Sequence, residues 1–291
     1  MSWQALYDNP AARVKGWVKT LLQNQEALQR ASGGWRLGQV LGCGHWGCVV
    51  DLLDSPWVLK LTVDPTEAHI WSKLVSLIED ERYGDDGFPR IKKIFELKPG
   101  ISYGSQGRTR RAYGIVREKV VPVFGGRDLT TTPFTIQTLG MPHGWQWQQT
   151  GNMAQQVPQN HKMQEFATAL SALMRYQEAA HAFHSGMGRA TGQWKLGGRS
   201  LTRQESIQRA EAAASRMYGS IGGPLGESLT MLASNEVLLR DVHFGNIGWR
   251  FLEEIEGQEG YTCLVIFDPG HTPTDKRALP AESWIQLAQL C

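Results

Sequence analysis

The feature that most constrains this 291-residue chain is a polar loop followed, after a short gap, by an apolar run that ends in an acid. The loop, residues 240–246, contains Asp241 and, five residues later, Asn246; the apolar run 263–267 then ends at Asp268. One carboxylate can face an attacking hydroxyl group, while an amide and a second carboxylate offer the oxygen ligands that Mg²⁺ prefers. The spacing therefore favours phosphoryl transfer from a nucleotide over the simpler alternative, an Asp/Asn turn ahead of a hairpin.

A second constraint is the glycine-rich sequence of residues 42–49, in which Gly42, Gly44 and Gly47 fit the pattern G-x-G-x-x-G-x-V. In dinucleotide-binding folds this pattern opens a helix. Here it is followed by a second apolar run, and Lys60 comes 13 residues after Gly47. This order predicts a β-hairpin whose backbone covers nucleotide phosphates, with a lysine on the third strand contacting them. A plain hairpin turn is the alternative.

Lys60 lies within an otherwise apolar strand, residues 57–63, where an unpaired ammonium group would be costly to bury. We expect it to face a carboxylate and an anionic ligand; the alternative is an edge-strand lysine that points to water. Glu67 is the natural partner, because it is the first acid of the helix that Asp64-Pro65 opens. At the third helical position Glu67 also fits a capping box with Asp64, so the sequence leaves both roles open.

Hydrophobic periodicity outlines the rest of the chain. It predicts helices over residues 1–32, 65–83, 162–184, 203–218, 225–234 and 281–290. Short apolar runs bounded by turn residues predict strands over residues 35–41, 48–53, 57–63, 91–97, 112–121, 247–252 and 261–267. Residues 125–160 lack a regular pattern and are predicted to form a long surface segment. The apolar stripe of the first helix is expected to pack on the domain that follows, with partner binding as the alternative.

Composition narrows the classes of partner. Apolar residues make up 41% of the chain, and a net charge of +2 gives no reason to expect nucleic acid or a membrane surface as a partner. No apolar run is long enough for a membrane helix and residues 1–10 do not resemble a secretory signal, so we expect a cytoplasmic protein. The four cysteines show no disulfide or metal-binding spacing and are predicted to be free thiols. His181 and His184, near the end of a predicted helix, are expected to be core or surface histidines.

The run Arg240-Asp241-Val242-His243-Phe244-Gly245-Asn246 resembles the catalytic loop of the protein kinase-like superfamily. Its Arg-Asp pair is similar to that of eukaryotic-type protein kinases, and its Asp-x-His-x-Gly-Asn to that of aminoglycoside and choline phosphotransferases. Asp268-Pro269-Gly270 stands where the superfamily has Asp-Phe-Gly. Together with the glycine-rich sequence and Val58-Leu59-Lys60, the set is also similar to small protein kinases carried by podophages. The resemblance covers about residues 35–272.

The resemblance implies an α+β, two-lobed fold, with a helical extension over residues 1–34, a small antiparallel-sheet lobe over 35–119 and a mainly helical lobe over 120–291. It implies ATP and Mg²⁺ as cofactors, and a protein hydroxyl or a small-molecule alcohol as acceptor. The implied catalytic residues are Asp241, Lys60, Arg240 and His243. The implied nucleotide-binding residues are Gly42, Gly44, His45, Gly47, Val49, Lys60, Glu67, Glu118 and Val120, and the implied metal ligands are Asn246 and Asp268.

Departures from the superfamily pattern bear on the acceptor. Pro269 replaces the usual Phe, Leu239 replaces the usual His, and 21 residues follow Gly270. A tail of this length cannot supply the peptide-docking helices of eukaryotic-type kinases, so a truncated second lobe is expected. The favoured expectation is a compact Ser/Thr protein kinase of phage or bacterial type, acting in the cytoplasm (the host cytoplasm if it is viral). The alternatives are a small-molecule kinase and a nucleotide-binding pseudokinase that acts by binding a partner.

Overall fold

The computed structural model describes residues 16–79, 87–103, 108–125, 130–142, 159–187, 201–252, 261–270 and 285–289. These residues form an α+β structure, which confirms the α+β class predicted from the sequence. The chain divides into two compact units. The first comprises Met1–Asp80, Arg90–Lys119 and Thr274–Cys291, and the second comprises Glu81–Pro89 and Val120–Pro273.

The secondary structure follows the predicted order through most of the chain. In the first unit the described elements begin with α1 (Gly16–Leu22), α2 (Gln25–Ser32), β1 (Leu37–Cys43), β2 (Gly47–Leu52), β3 (Trp57–Thr62), α3 (Pro65–Glu79), β4 (Ile91–Tyr103) and β5 (Arg108–Glu118). In the second unit they are β6 (Val121–Pro122), β7 (Phe124–Gly125), β8 (Thr130–Thr131), α4 (Pro133–Thr138), α5 (His161–Met187), α6 (Arg203–Ser215), α7 (Gly223–Ser234), β9 (Ile247–Leu252) and β10 (Tyr261–Ile266). The last described strand, β11 (Ile285–Gln289), belongs again to the first unit.

The first unit is built on one sheet whose described strands lie in the order β1-β2-β3-β5-β4-β11. Strands β1 to β5 pair with their neighbours in antiparallel fashion. β2 and β3 are almost wholly buried, as expected for interior strands rich in Val and Leu. This placement makes β3, which carries Lys60, an interior strand between β2 and β5.

Helices α1 and α2 cover this sheet. Val18, Leu21 and Leu28 are buried in the same hydrophobic cluster as Leu59 of β3 and Phe95 of β4. The prediction that the apolar stripe of the first helix packs on the following domain is therefore confirmed for the described residues from Gly16 onward. The predicted helix is divided in two before Gln25, and its residues 1–15 lie outside the described part of the chain.

The helix predicted over residues 281–290 is wrong. Residues Ile285–Gln289 form β11, which pairs in parallel with β4 and places Ile285 opposite Ile94. A run this short does not distinguish helical from strand periodicity, and the edge of β4 supplies a pairing partner that the sequence does not reveal. Because β11 is part of the first sheet, it does not belong to the second lobe, to which the predicted range 120–291 assigned it.

The second unit packs helices α5, α6 and α7 with a sheet of order β10-β9-β6. The sequence predicts that Phe166, Leu170, Leu173, Met174 and Tyr176 mark the buried side of α5, and four of these five side chains are buried. The prediction is wrong for Met174, which follows Leu173 directly, points away from that stripe and is 41% exposed. Trp249 of β9 is also buried; its ring stacks on Phe166 at 5.8 Å between centroids. Among the helices in the described part of the chain, none is long and apolar enough to cross a membrane.

Regular structure also occurs within residues 125–160, which were predicted to lack it. Thr132 accepts a hydrogen bond from the amide of Thr135 at 3.3 Å, and Pro133 occupies the first turn of α4. This Thr-Pro pair is a helix-start signal, but the six residues of α4 are too few to show a periodic apolar stripe. Residues 143–158 lie outside the described part of the chain.

The prediction of free thiols is wrong for two of the four cysteines. Cys43 and Cys48 face each other across the β1–β2 hairpin and form a disulfide. Their five-residue separation matches no metal or framework spacing in the sequence, and only the hairpin register makes them neighbours. Cys263 is buried in the second unit, and Cys291 lies outside the described residues.

Candidate functional site

In the first unit, the buried lysine of β3 has an acidic partner. Lys60 Nζ lies 2.5 Å from Glu67 Oε1, and the two residues are only 7% and 2% exposed. Asp64 Oδ1 accepts the amide of Thr66 at 2.9 Å, so a different acid occupies the start of α3. The pairing of Glu67 with Lys60, which the sequence left open, is therefore made in the structure, and the alternative of a solvated edge-strand lysine is wrong.

The glycine-rich sequence forms the predicted hairpin between β1 and β2. The register places Gly42 opposite Val49, and Val49 in turn lies opposite Lys60 on β3. The amide of Gly44 donates to the carbonyl of Gly47 at 2.9 Å and closes the turn. The hairpin thus places Val49 directly beside Lys60 and Gly47 opposite Thr62, two residues further along β3.

The glycines of this hairpin have different structural requirements. At Gly47 a Cβ atom would lie 2.2 Å from the carbonyl oxygen of Leu61, so the packing of β2 on β3 demands glycine there. At Gly42 and Gly44 no heavy atom of the described structure lies within 4 Å of a Cβ position. The fold does not require glycine at these two positions, and that leaves room for close approach of a ligand to the backbone.

We expect Gly47→Ala to destabilise the protein by about 2 kcal/mol or more, because a backbone carbonyl cannot move aside as a flexible side chain can. Gly42→Ala and Gly44→Ala are matched controls in the same hairpin and should change the free energy of unfolding by less than about 1 kcal/mol. Urea unfolding followed by circular dichroism measures all three variants. Equal destabilisation by the three substitutions would contradict this account of the hairpin.

His45 lies exposed at the tip of the hairpin. Its ring meets that of Trp46 edge-on, with 4.7 Å between centroids. The guanidinium group of Arg110, on β5, lies 5.3 Å from the centroid of the Trp46 ring. The tip therefore offers an exposed imidazole, and a cation–π contact ties its tryptophan to β5.

The two positions predicted to meet the adenine are Glu118 and Val120. The amide of Glu118 donates to the carbonyl of Arg90 at 2.9 Å, and its carboxylate accepts the amide of Arg90 at 3.1 Å. The Glu118 amide is therefore already engaged within the first unit. In the second unit Val120 is buried against Cys263 and Val265. The adenine contact stays a prediction, and at Glu118 it would have to use the carbonyl group.

In the second unit, the loop that contains Asp241 is held by its own polar groups. Asn246 Nδ2 donates to the carbonyl of Asp241 at 2.9 Å. His243 Nδ1 accepts the amide of Gly245 at 2.9 Å, which leaves Nε2 as the protonated nitrogen of a neutral ring. That Nε2 lies 3.5 Å from Asp241 Oδ1. The loop therefore brings Asp241, His243 and Asn246 together, as the sequence predicts for neighbours in one turn.

Strand pairing brings Asp268 to the same place. β9 and β10 place Ile247 opposite Ile266, and the amide of Phe267 donates to the carbonyl of Asn246 at 2.9 Å. Asp268 follows directly, and its Oδ1 accepts the amide of Gly270 at 3.1 Å. The structure thus positions both predicted metal ligands, Asn246 and Asp268, at the ends of two adjacent strands.

Gly270 closes the site against Asp241. Its φ of 60° is left-handed, and a Cβ atom there would lie 2.1 Å from both Cβ and Oδ2 of Asp241. Only glycine allows this approach without displacing the carboxylate. Asp241 itself remains accessible, with its side chain 43% exposed, and Arg240 beside it is an exposed residue. A half-exposed carboxylate fixed on one side by backbone can accept a hydrogen bond from a second molecule on the other.

Two residues of α5 that the sequence did not assign to the site hold the backbone that leads into Asp241. The hydroxyl of Tyr176 accepts the amide of Leu239 at 3.2 Å, and His184 Nε2 donates to the carbonyl of Leu238 at 2.7 Å. Burial raises the pKa of the Tyr176 phenol far above its usual value, so it stays neutral. In the sequence, these two residues show only that polar groups occur on the buried face of a predicted helix. Helical periodicity alone assigns that face to the core.

The folded protein lowers the pKa of the His184 imidazole and so favours its neutral form. Burial is the main cause that lowers its pKa below 6.5, and the charges of Arg240 and His181 lower the pKa further, while its bond to the Leu238 carbonyl opposes them. The pKa of His181 is lowered by burial and by Arg240, against an opposing effect of Asp241. Among the described residues, His184 Nδ1 is a buried atom without a hydrogen-bond partner, so a second proton there would be unsatisfied.

We expect the contribution of His184 to stability to be complete above pH 6.5 and to fall as the pH decreases through the lowered folded-state pKa. The unfolded chain binds the proton more readily than the folded chain, so acid favours unfolding. His184→Gln keeps an N–H donor but does not titrate. Urea unfolding from pH 8 to pH 5 measures the unfolding free energies of wild type and His184→Gln. As the pH falls, the unfolding free energy of wild type should decrease relative to that of His184→Gln. A pH-independent difference would contradict this assignment.

The metal candidates are of the kind that magnesium sites use. Among the described residues, no group of three or more His, Cys, Asp or Glu side chains is arranged to hold a metal ion. The candidate pair is instead one amide and one carboxylate, Asn246 and Asp268. Mg²⁺ in nucleotide sites is held by one or two protein oxygen ligands together with water and substrate phosphates, so this pair fits it as ligands of a phosphate-bound ion.

No protein-family model matches this chain, and no curated protein matches it either. The assignment of a function therefore depends on the contacts within each unit.

Proposed function

We propose that this chain is an ATP- and Mg²⁺-dependent phosphotransferase with the two-lobed fold of the protein kinase-like superfamily, acting in the cytoplasm. The observation that carries the proposal is the convergence of Asp241, Asn246 and Asp268 in the second unit, with Gly270 packed on the carboxylate of Asp241. A structural turn would need neither a half-exposed acid nor a second acid brought beside it by strand pairing. Phosphoryl transfer needs both.

In this proposal Asp241 accepts a hydrogen bond from the acceptor hydroxyl and orients it for attack. Nε2–H of His243 faces Asp241 Oδ1, and the Asn246 side chain holds the Asp241 carbonyl, so both restrict the movement of the acid. Asn246 and Asp268 hold Mg²⁺, whose chemistry is to neutralise charge on the phosphates. Most of the rate enhancement then comes from positioning and charge stabilisation.

The residues of the first unit supply the nucleotide contacts. Lys60 delivers a positive charge to the α- and β-phosphates, and its buried pair with Glu67 fixes the direction of its side chain. Gly42, Gly44 and Gly47 belong to the hairpin whose backbone covers the phosphates. The open space beside Gly42 and Gly44 supports that role, because neither glycine is explained by packing.

We favour a protein hydroxyl as acceptor, as in a compact Ser/Thr protein kinase. The exposed Arg240 next to the half-exposed Asp241 suits an acceptor that presents acidic or phosphorylated groups on a large surface. A small-molecule alcohol is the second candidate, because the Asp-x-His-x-Gly-Asn pattern resembles that of aminoglycoside and choline phosphotransferases. A nucleotide-binding pseudokinase would not need Lys60, Asp241, Asn246 and Asp268 together.

Intact-mass spectrometry of the purified chain after incubation with ATP and Mg²⁺ tests the proposal. We expect added phosphate on the chain or on a protein of a host lysate, and none with Asp241→Asn. Glu26→Gln, which alters an exposed acid of α2, is the matched control and should behave as wild type. Turnover of ATP only with alcohol metabolites would favour the small-molecule kinase. Binding of ATP and Mg²⁺ without any turnover would favour the nucleotide-binding pseudokinase. If the chain neither bound ATP nor transferred phosphate, the proposal would be refuted.

A further inference from the structure

The tip of the glycine hairpin is enclosed by a covalent ring. Cys43 and Cys48 are direct partners in the β1–β2 register, and their disulfide spans the four residues 44–47. Within that ring the amide of Gly44 donates to the carbonyl of Gly47 at 2.9 Å. The disulfide therefore holds closed the turn that carries the candidate phosphate-binding backbone.

Outside the disulfide, the tip is held mainly at Trp46, whose ring contacts Arg110 and packs against the buried core cluster, whereas Gly44 and His45 are exposed. The carbonyl of Trp46 accepts the amide of Val63 at 3.1 Å, and no heavy atom of the described structure lies near the Cβ positions of Gly42 and Gly44. Without the disulfide, the turn at Gly44 can open while β2 stays anchored through Gly47. The position of the tip amides is therefore sensitive to whether the two sulfurs are joined.

The two sulfurs differ in their surroundings. Cys48 is 1% exposed and belongs to the buried core cluster, whereas Cys43 is only half-buried. A small thiolate is expected to attack Cys43 Sγ, which forms a mixed disulfide and releases the Cys48 thiolate. A second thiol then attacks the mixed disulfide and releases Cys43. In total, one protein disulfide and two small thiols react to give one protein dithiol and one small disulfide. Oxidation of the dithiol by the small disulfide is the reverse reaction.

We propose that the Cys43–Cys48 pair is a thiol–disulfide exchange site that controls nucleotide binding at the glycine hairpin. Low-molecular-weight thiols reduce the disulfide, open the hairpin tip and raise the affinity for ATP. The corresponding small disulfides oxidise the pair, close the tip and lower that affinity. In the closed form the Gly44 amide is used by Gly47 and is not offered to a phosphate. Disulfides in reducing compartments are mostly transient and redox-sensing, which fits a pair placed at the tip of a hairpin instead of in a structural framework. The effect on ATP rests on the proposed function.

The test has two arms on the full chain, equilibrated in glutathione buffers from reducing to oxidising. In the first arm, acid quenching, alkylation and peptide mass mapping report whether Cys43 and Cys48 are joined. In the second arm, calorimetry measures the affinity for ATP and Mg²⁺. We expect ATP to bind about tenfold more weakly to the oxidised form, the scale of one lost hydrogen bond to a charged group.

Cys43→Ser is the control, because this half-buried position tolerates the change better than buried Cys48 does. It should bind ATP like the reduced wild type in every buffer. Equal affinities of oxidised and reduced wild type, or alkylation of both cysteines in the oxidising buffer, would overturn the proposal. If neither form binds ATP, the proposed function fails together with the effect on nucleotide, while the peptide masses still decide whether the thiol exchange exists.

Discussion

Lys60→Met should lower the free energy of unfolding by about 3–5 kcal/mol and abolish phosphotransfer. The substitution leaves the Glu67 carboxylate, 2% exposed, without the ammonium group that lies 2.5 Å from it. An uncompensated charge in the core of the first unit is far more costly than the pair itself is stabilising. Urea unfolding at pH 7.5 gives the stability, and transfer of labelled phosphate gives the activity.

The double variant Lys60→Met/Glu67→Leu separates the two effects. With both charges removed and apolar groups of similar size in their place, stability should return to within about 1–2 kcal/mol of wild type. Activity should stay lost, because Lys60 is the group assigned to the phosphates. The exposed pair Arg36–Asp54 is the matched control: Arg36→Met should cost less than about 1 kcal/mol. If the double variant recovered activity along with stability, Lys60 would have only a structural role.

Gly270→Ala should reduce phosphotransfer at least about 100-fold, since a displacement of the carboxylate proposed to be catalytic, that of Asp241, by about 1 Å would have effects of that order. A Cβ atom at this position would fall 2.1 Å from Oδ2 of Asp241, and both atoms cannot stay where they are. The left-handed backbone, with φ of 60°, adds about 1–2 kcal/mol of strain for any other residue. Steady-state kinetics and urea unfolding measure the two effects.

Gly219→Ala isolates the backbone strain from the clash. Gly219 has a φ of 69°, and no heavy atom of the described structure lies within 4 Å of its Cβ position. This variant should lose a similar 1–2 kcal/mol or so of stability but keep its activity. If Gly270→Ala behaved like Gly219→Ala in both measurements, the contact between Gly270 and the Asp241 carboxylate would have no catalytic importance.

The sequence predicted best those features that depend on local spacing. Asp241, His243 and Asn246 occupy one turn, so their proximity follows from separation along the chain. Gly47 and Lys60 lie on strands whose apolar runs and bounding turn residues are visible in the sequence. The pairing of Lys60 with Glu67 was foreseen as one of two roles, and three-dimensional packing decided between them because the start of α3 is occupied by Asp64.

Features that depend on distant pairing were not predictable. β11 became a strand because the edge of β4 was available to it, and five residues carry no information about a partner so far away in sequence. Cys43 and Cys48 became neighbours through a hairpin register, not through a recognisable cysteine motif. Tyr176 and His184 reach backbone atoms more than 50 residues away, and helical periodicity shows only that their face is buried.

The most direct test of the central claim is the rate of γ-phosphate transfer from ATP in the presence of Mg²⁺, compared between wild type, Asp241→Asn and Asp268→Asn under reducing conditions. Both substitutions keep the side-chain shape and remove one negative charge, and unfolding curves that match wild type would show that each variant is folded. We expect magnesium-dependent transfer by wild type and a loss of at least about 100-fold in each variant. Undiminished transfer by Asp241→Asn, or no transfer by folded wild type with any protein or alcohol acceptor, would contradict the account.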